Sequence, residues 1–139
     1  MTVRIATGSD WTIANQLAMK FCTEAYGKWV NKQVITDLVE SLIFDEDKIM
    51  FLYEDKGFLA GILNRFILGD RLMAVELGWY VNPDSRGRKI GKDLIKAFEA
   101  WAKEKNASLV TMVSIDDDVG AYYEKNGYKL YERTYMKEI

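Results

Sequence analysis

The stretch 73-MAVELGWYVNPDSRGRKIGKDLIKAFEAWAKEKN-106 decides the reading of the chain. Met73 to Val81 is apolar enough for a largely buried strand, with Glu76 as its one charged member. Asn82-Pro83 stops it, because proline has no N–H to give a sheet ladder. From Ile90 onward, Leu94, Ile95, Phe98, Trp101 and Ala102 recur at helical spacing. Lys92, Asp93, Lys96, Glu99, Lys103 and Glu104 form the opposite, wet face. Between strand and helix sits Arg86-Gly87-Arg88-Lys89-Ile90-Gly91. The first turn of a helix carries amide N–H groups without intrahelical partners and a partial positive charge. Adding Arg86, Arg88, Lys89 and Lys92 suits that turn to a phosphate or pyrophosphate, and Gly87 and Gly91 let backbone approach a ligand. By itself the pattern is equally compatible with a solvated basic turn.

Working outward, Val3–Ala6 reads as a short strand and Ser9 or Asp10 as a cap for the helix that follows. Trp11, Ala14, Leu17, Ala18, Phe21, Cys22 and Ala25 line one face of that helix. Tyr26-Gly27-Lys28-Trp29 interrupts it with two aromatics in a connecting segment, and a second helix spans Lys32–Phe44. Asp45-Glu46-Asp47 closes this helix as an acidic turn. Ile49–Tyr53 and Phe58–Leu68 form a hairpin around Gly57, and a turn at Gly69-Asp70 leads into the Glu76 strand. Beyond the long helix, Leu109–Ile115 is a strand parallel to its neighbour, since a strand–helix–strand crossover implies that. Asp116-Asp117-Asp118 starts a short helix over Val119–Asn126, Gly127 stops it, and Tyr128–Lys137 is a closing strand.

At 139 residues, with 49% hydrophobic and 29% charged, the chain reads as one globular domain, 1–139. Net charge is −2, so nothing global points to nucleic acid or to an anionic membrane. No apolar run approaches the ~20 residues of a membrane span, and no secretory signal is visible. Cys22 is the single cysteine and there is no histidine. That excludes an internal disulfide, Ser-His-Asp and Cys-His chemistry, and argues against a metal site. The expected compartment is cytoplasmic.

Two motifs carry a family resemblance. Val81-Asn82-Pro83 followed by Arg86-Gly87-Arg88-Lys89-Ile90-Gly91 resembles the acetyl-coenzyme A motif of the GCN5-related N-acetyltransferases, the GNAT superfamily. Its form is Arg/Gln-x-x-Gly-x-Gly/Ala, and Lys89 stands where the first glycine is usual. Tyr122-Tyr123-Glu124-Lys125-Asn126-Gly127-Tyr128 resembles a second signature near the family's C terminus. The element order β-α-α-β-β-β-α-β-α-β is also the family's, so the resemblance covers essentially the whole chain. It implies an α/β (α+β) fold with a mixed central sheet of about six strands and four helices.

The resemblance further implies transfer of an acetyl group from acetyl-coenzyme A, as co-substrate, to a primary amine by direct attack, with no metal. Tyr123 falls on the tyrosine that meets the thiol of coenzyme A and protonates the leaving thiolate; a phenol is protonated at neutral pH and suits that task. The bland alternative makes Tyr122, Tyr123 and Tyr128 plain core aromatics. Glu76 resembles the strand glutamate that relatives use as general base, where burial raises its pKa; the alternative is a structural carboxylate. The backbone of Tyr80 and Val81 is where relatives pair with the pantetheine arm. The turn residues Arg86 to Lys92 would hold the pyrophosphate. Asp116 replaces an asparagine that often contacts the cofactor. Tyr26 and Trp29, with the Asp45–Asp47 turn, fall where relatives wall the acceptor site. A homodimer is compatible with the resemblance. The competing function is a non-catalytic acyl-coenzyme A binding or regulatory protein of the same fold.

Overall fold

In the computed structural model, which describes residues 2–139, the stripe at Ala14, Leu17 and Ala18 becomes the buried face of α1 (Trp11–Tyr26). Asn31 caps α2 (Lys32–Phe44), its side chain accepting the Val34 N–H at 3.1 Å, and Ile35, Val39 and Leu42 form the buried face. Both helices pack on one side of a mixed sheet of β1 (Val3–Ile5), β2 (Lys48–Tyr53), β3 (Gly57–Arg65), β4 (Leu72–Val81) and β5 (Leu109–Thr111). The spatial order is that of the sequence, with only β4–β5 parallel. On the other side lies α3 (Ile90–Glu104), whose Leu94, Ile95, Phe98 and Trp101 are buried as the stripe predicts. The last helix, α4 (Asp117–Lys125), joins that side through Tyr123.

The pleat sorts β2 cleanly: Met50 and Leu52 face α1 and α2, whereas Ile49 and Phe51 face α3. Two glycine-type turns close helices where the sequence places them. Asn106 takes a φ of 64° after α3 and Gly127 a φ of 91° after α4. Asp10 does not cap α1 with its side chain; it sits in a 3-10 turn and binds the Arg4 guanidinium in a bidentate pair at 2.6 and 2.7 Å.

Two expectations need correction. The sheet has five strands, and Tyr128–Lys137 is irregular chain instead of a closing strand. Tyr128 is held by a hydrogen bond to Glu99 at 2.7 Å, and Glu138 is held at the far end by Trp29 and Lys28. Leu130, Tyr131, Tyr135 and Met136 between these anchors are exposed, so the segment buries no apolar face against the sheet. The strand expected at Leu109–Ile115 ends at Thr111, because the Val113 N–H is taken by the Glu76 carboxylate and not by a β4 carbonyl. No helix among the described residues is long and apolar enough to cross a membrane.

Candidate active site

β4 does not alternate evenly. Ala74 and Val81 lie an odd number of residues apart, so a regular strand would send them to opposite faces, yet both belong to the core beneath α3. The register passes from Ala60↔Gly78 to Gly61↔Glu76, leaving Leu77 without an opposite residue. This is a β-bulge, which inserts one residue and re-aims the side chains before it. Gly78 at the bulge is close to the Phe21 and Phe58 rings, and a Cβ there would lie 3.1 Å from Phe21.

Just ahead of the bulge, β4 and β5 part. β4 keeps β3 as partner up to Val81, but β5 follows it only as far as Val75↔Thr111. Into the fork projects Glu76, 3% exposed, whose Oε1 accepts the Val113 N–H at 2.9 Å. From α4, the Tyr123 hydroxyl donates to the Val113 carbonyl at 3.0 Å. The two side chains thus grip opposite sides of one residue of irregular backbone. Burial pushes the Glu76 carboxyl up to about 7, an effect the Val113 N–H only partly offsets. Burial, and then the Glu76 charge, also raises the Tyr123 phenol well above its ordinary range.

Both groups line a small cavity of about 40 Å³ with Phe21, Leu77, Trp79, Val113 and Val119. Tyr26 and Ile115 stand at its rim, 38% and 50% exposed. Trp29 does not reach it: its indole N–H donates to Glu138 at 3.0 Å, beside Lys28. The Asp45–Asp47 turn is likewise absent from the lining, and Asp45 pairs with Lys48. Cys22 is half-buried on α1, its thiol pKa raised by burial, the state of a packed cysteine and not of an activated one.

The basic turn is built in layers. Pro83–Ser85 forms a 3-10 turn, Gly87 takes a φ of 84°, and α3 begins at Ile90. Lys89 occupies the N-cap position with φ −72° and ψ −5°, so the loop turns there without any need for glycine. Its side chain makes no capping bond, which leaves the first amides of α3 without a protein oxygen in that role. Arg88 and Lys89 are exposed and enter no ion pair among the described residues. Arg86 is committed differently. Its Nε donates to Val81 O at 2.7 Å, its Nη2 pairs with Glu24 at 2.8 Å, and the guanidinium lies 5.4 Å from the Tyr80 ring centre. Lys92 lies one turn into α3, whereas Ile90 sends its side chain into the core.

Gly91 serves packing: a Cβ there would lie 2.8 Å from the Trp79 ring, whose N–H donates to Gly91 O at 3.1 Å. Gly91→Ala is therefore expected to push the start of α3 off the sheet, at a cost of about 1–3 kcal/mol. Urea unfolding with an unchanged m-value would check it. Asp116, the N-cap of α4, accepts the Val119 N–H at 2.9 Å, so its carboxylate is spent on the helix.

Sequence reasoning brought Glu76, Tyr123 and Tyr26 forward, and the structure places them together. It missed Phe21, Trp79 and Val113. Phe21 and Trp79 read only as members of an apolar stripe, and Val113 contributes backbone, which leaves no side-chain signal.

Among curated proteins, none matches this sequence. Solved structures do. A crystal structure described as a probable acetyltransferase superposes with a TM-score of 0.80 at 20% identity, covering 100% of this chain and 98% of that one. A transcriptional regulator from Bacillus halodurans C-125 gives 0.79 at 18% identity, covering 99% of each. The aminoglycoside N-acetyltransferase AAC(6')-Iy, in complex with CoA, gives 0.77 at 15% identity, covering 99% of this chain and 93% of that one. At such identities the likeness establishes the fold alone. The sequence model of the acetyltransferase (GNAT) family, however, matches residues 14–128, most of the chain and both motifs, and with that match the protein belongs to the GNAT acetyltransferase family.

Proposed function

We propose that the protein is an acetyl-coenzyme A dependent N-acetyltransferase acting on a primary amine by direct attack. One observation carries this reading: Glu76 and Tyr123, both buried, converge on Val113 inside a single cavity. A module that only binds would need neither a carboxylate with its pKa near neutrality nor a sequestered phenol beside it. The fork between β4 and β5 leaves the β4 edge from Glu76 to Val81 without a strand, which suits an extended pantetheine arm. The uncapped first turn of α3, with Arg88, Lys89 and Lys92, suits the pyrophosphate. Arg86 shapes that turn by tying it to Glu24 on α1.

Bound acetyl-coenzyme A supplies the thioester. Glu76 takes a proton from the incoming ammonium, leaving a lone pair on nitrogen. As the C–N bond forms and the C–S bond breaks, the electron pair leaves on sulfur. Tyr123, swinging its O–H from the Val113 carbonyl, gives its proton to that sulfur and is reprotonated from solvent. Glu76 passes its first proton to solvent and, ionised again, takes the second proton from nitrogen, which leaves a neutral amide. Cys22, the one thiol, has its pKa raised by burial and no histidine to activate it, which favours direct attack over a thioester on the enzyme.

Isothermal titration with acetyl-coenzyme A tests the first half of this reading. The wild-type protein is expected to bind, and the double substitution Arg88→Ala, Lys89→Ala to weaken binding at least about tenfold, the worth of one charge-assisted hydrogen bond. Absence of binding by the folded wild type would end the reading. Release of coenzyme A in the presence of amines, lowered in Tyr123→Phe, tests the second half and separates an enzyme from a binding module.

A further inference from the structure

The cavity at the fork has a composition that selects among amines, and this selection rests on the acetyl-transfer reading above. Its floor holds one carboxylate, Glu76, and no other charged side chain lines it. Its walls are aromatic and aliphatic, from Phe21 and Trp79 to Leu77 and Val119, and its rim is Tyr26, Val113 and Ile115. At about 40 Å³ it admits roughly two or three heavy atoms.

We propose that the acceptor is a primary amine on an unbranched apolar stem, one that brings a single positive charge into the cavity. That chemistry belongs to an n-alkylamine and to a lysine side chain. The nitrogen lies at Glu76, where its charge is neutralised. The first methylenes fill the aromatic throat, and the rest of the stem leaves past Ile115. Two classes are disfavoured for separate reasons. A carbon branched next to nitrogen needs more room than a cavity of roughly two or three heavy atoms leaves. A polyhydroxylated polycation, such as an aminoglycoside, would bury hydroxyls against apolar walls and bring charges for which no second carboxylate lines the cavity.

The experiment compares coenzyme A release with n-pentylamine, Nα-acetyl-lysine amide, sec-butylamine and kanamycin, each at equal concentration with saturating acetyl-coenzyme A. The expected kcat/KM for the better of the two straight-stem amines exceeds that for sec-butylamine and kanamycin by at least about tenfold. The ratio between n-pentylamine and Nα-acetyl-lysine amide tells a free amine from a peptide side chain. Val119→Ala, which enlarges the cavity beyond its rim, is expected to narrow the gap between n-pentylamine and sec-butylamine. Ligand-observed NMR gives a readout without turnover: n-pentylamine should show saturation transfer with the wild type at pH 8 and lose it with Glu76→Gln.

Equal or faster turnover of kanamycin or sec-butylamine would overturn the proposal while leaving acetyl transfer intact. Binding of acetyl-coenzyme A without acetylation of any of the four amines would overturn both.

Discussion

Glu76→Gln is expected to lower kcat/KM for the acceptor by about 10²- to 10⁴-fold, the usual worth of a positioned general base. Glutamine keeps the Oε1 acceptor for the Val113 N–H, so the fork holds its shape while the proton acceptor is lost. The wild-type profile should rise with pH through an apparent pKa near 7, where the buried carboxyl ionises, and that limb should vanish in the variant. A variant that retained both rate and profile would remove Glu76 from the chemistry.

Stability should move the other way. A carboxyl raised from 4.5 to about 7 on folding favours the protonated form, so its contribution is complete below pH 4.5 and is lost as pH rises through 7. The displacement corresponds to roughly 3 kcal/mol as an upper figure. Between pH 5 and 8 the wild type should therefore lose stability that Glu76→Gln keeps, read as converging or crossing urea midpoints. A charge held at a cost to the fold is the ordinary trade between activity and stability.

Phe98→Ala should cost about 3–5 kcal/mol and lower the melting temperature by roughly 10–20 °C. The ring is fully buried between α3 and the sheet, stacked on Trp101 with centroids 5.8 Å apart. It sits directly over Gly61 of β3, where a Cβ would overlap the ring. Gly61→Ala alone should thus be strongly destabilising. Combined with Phe98→Ala it should cost much less than the sum, because the ring it collides with is gone and the new methyl enters the cavity. A coupling of about 1 kcal/mol or more in a double-mutant cycle is the expected sign of this contact. Additive losses would mean that the Gly61 penalty comes from the Val75 carbonyl, 2.9 Å from the added Cβ.

Much of the candidate site is legible in the sequence. Glu76 stood out as a lone charge in an apolar strand, the basic turn as a cluster ahead of a helix, and Tyr123 by its motif. Arg86 and Gly91 read as ligand-facing from pattern alone, yet the structure shows each also serving the protein itself, as a tie to Glu24 and as clearance for Trp79. Trp29 shared a connecting segment with Tyr26, but the two part over a single 3-10 turn, and only Tyr26 lines the cavity.

Local pattern by itself determined the helices, because a stripe such as Leu94, Ile95, Phe98 and Trp101 can bury itself in only one way, and Asn106 and Gly127 stop helices by their own backbone freedom. It also determined the order β2–β3–β4, since short glycine-bearing turns leave antiparallel neighbours no other choice, whereas the pairing of β1 with β2 spans two helices. Tertiary structure alone decided what period-two alternation cannot encode. The bulge at Leu77 shifts Glu76 into the phase of the α3 face, and the Val113 amide, captured by that carboxylate, ends β5 and opens the fork. It decided the fate of Tyr128–Lys137 as well: a segment becomes a strand only where it is laid along a sheet edge, and here Tyr128 is anchored to Glu99 and the neighbouring Glu138 to Trp29 instead.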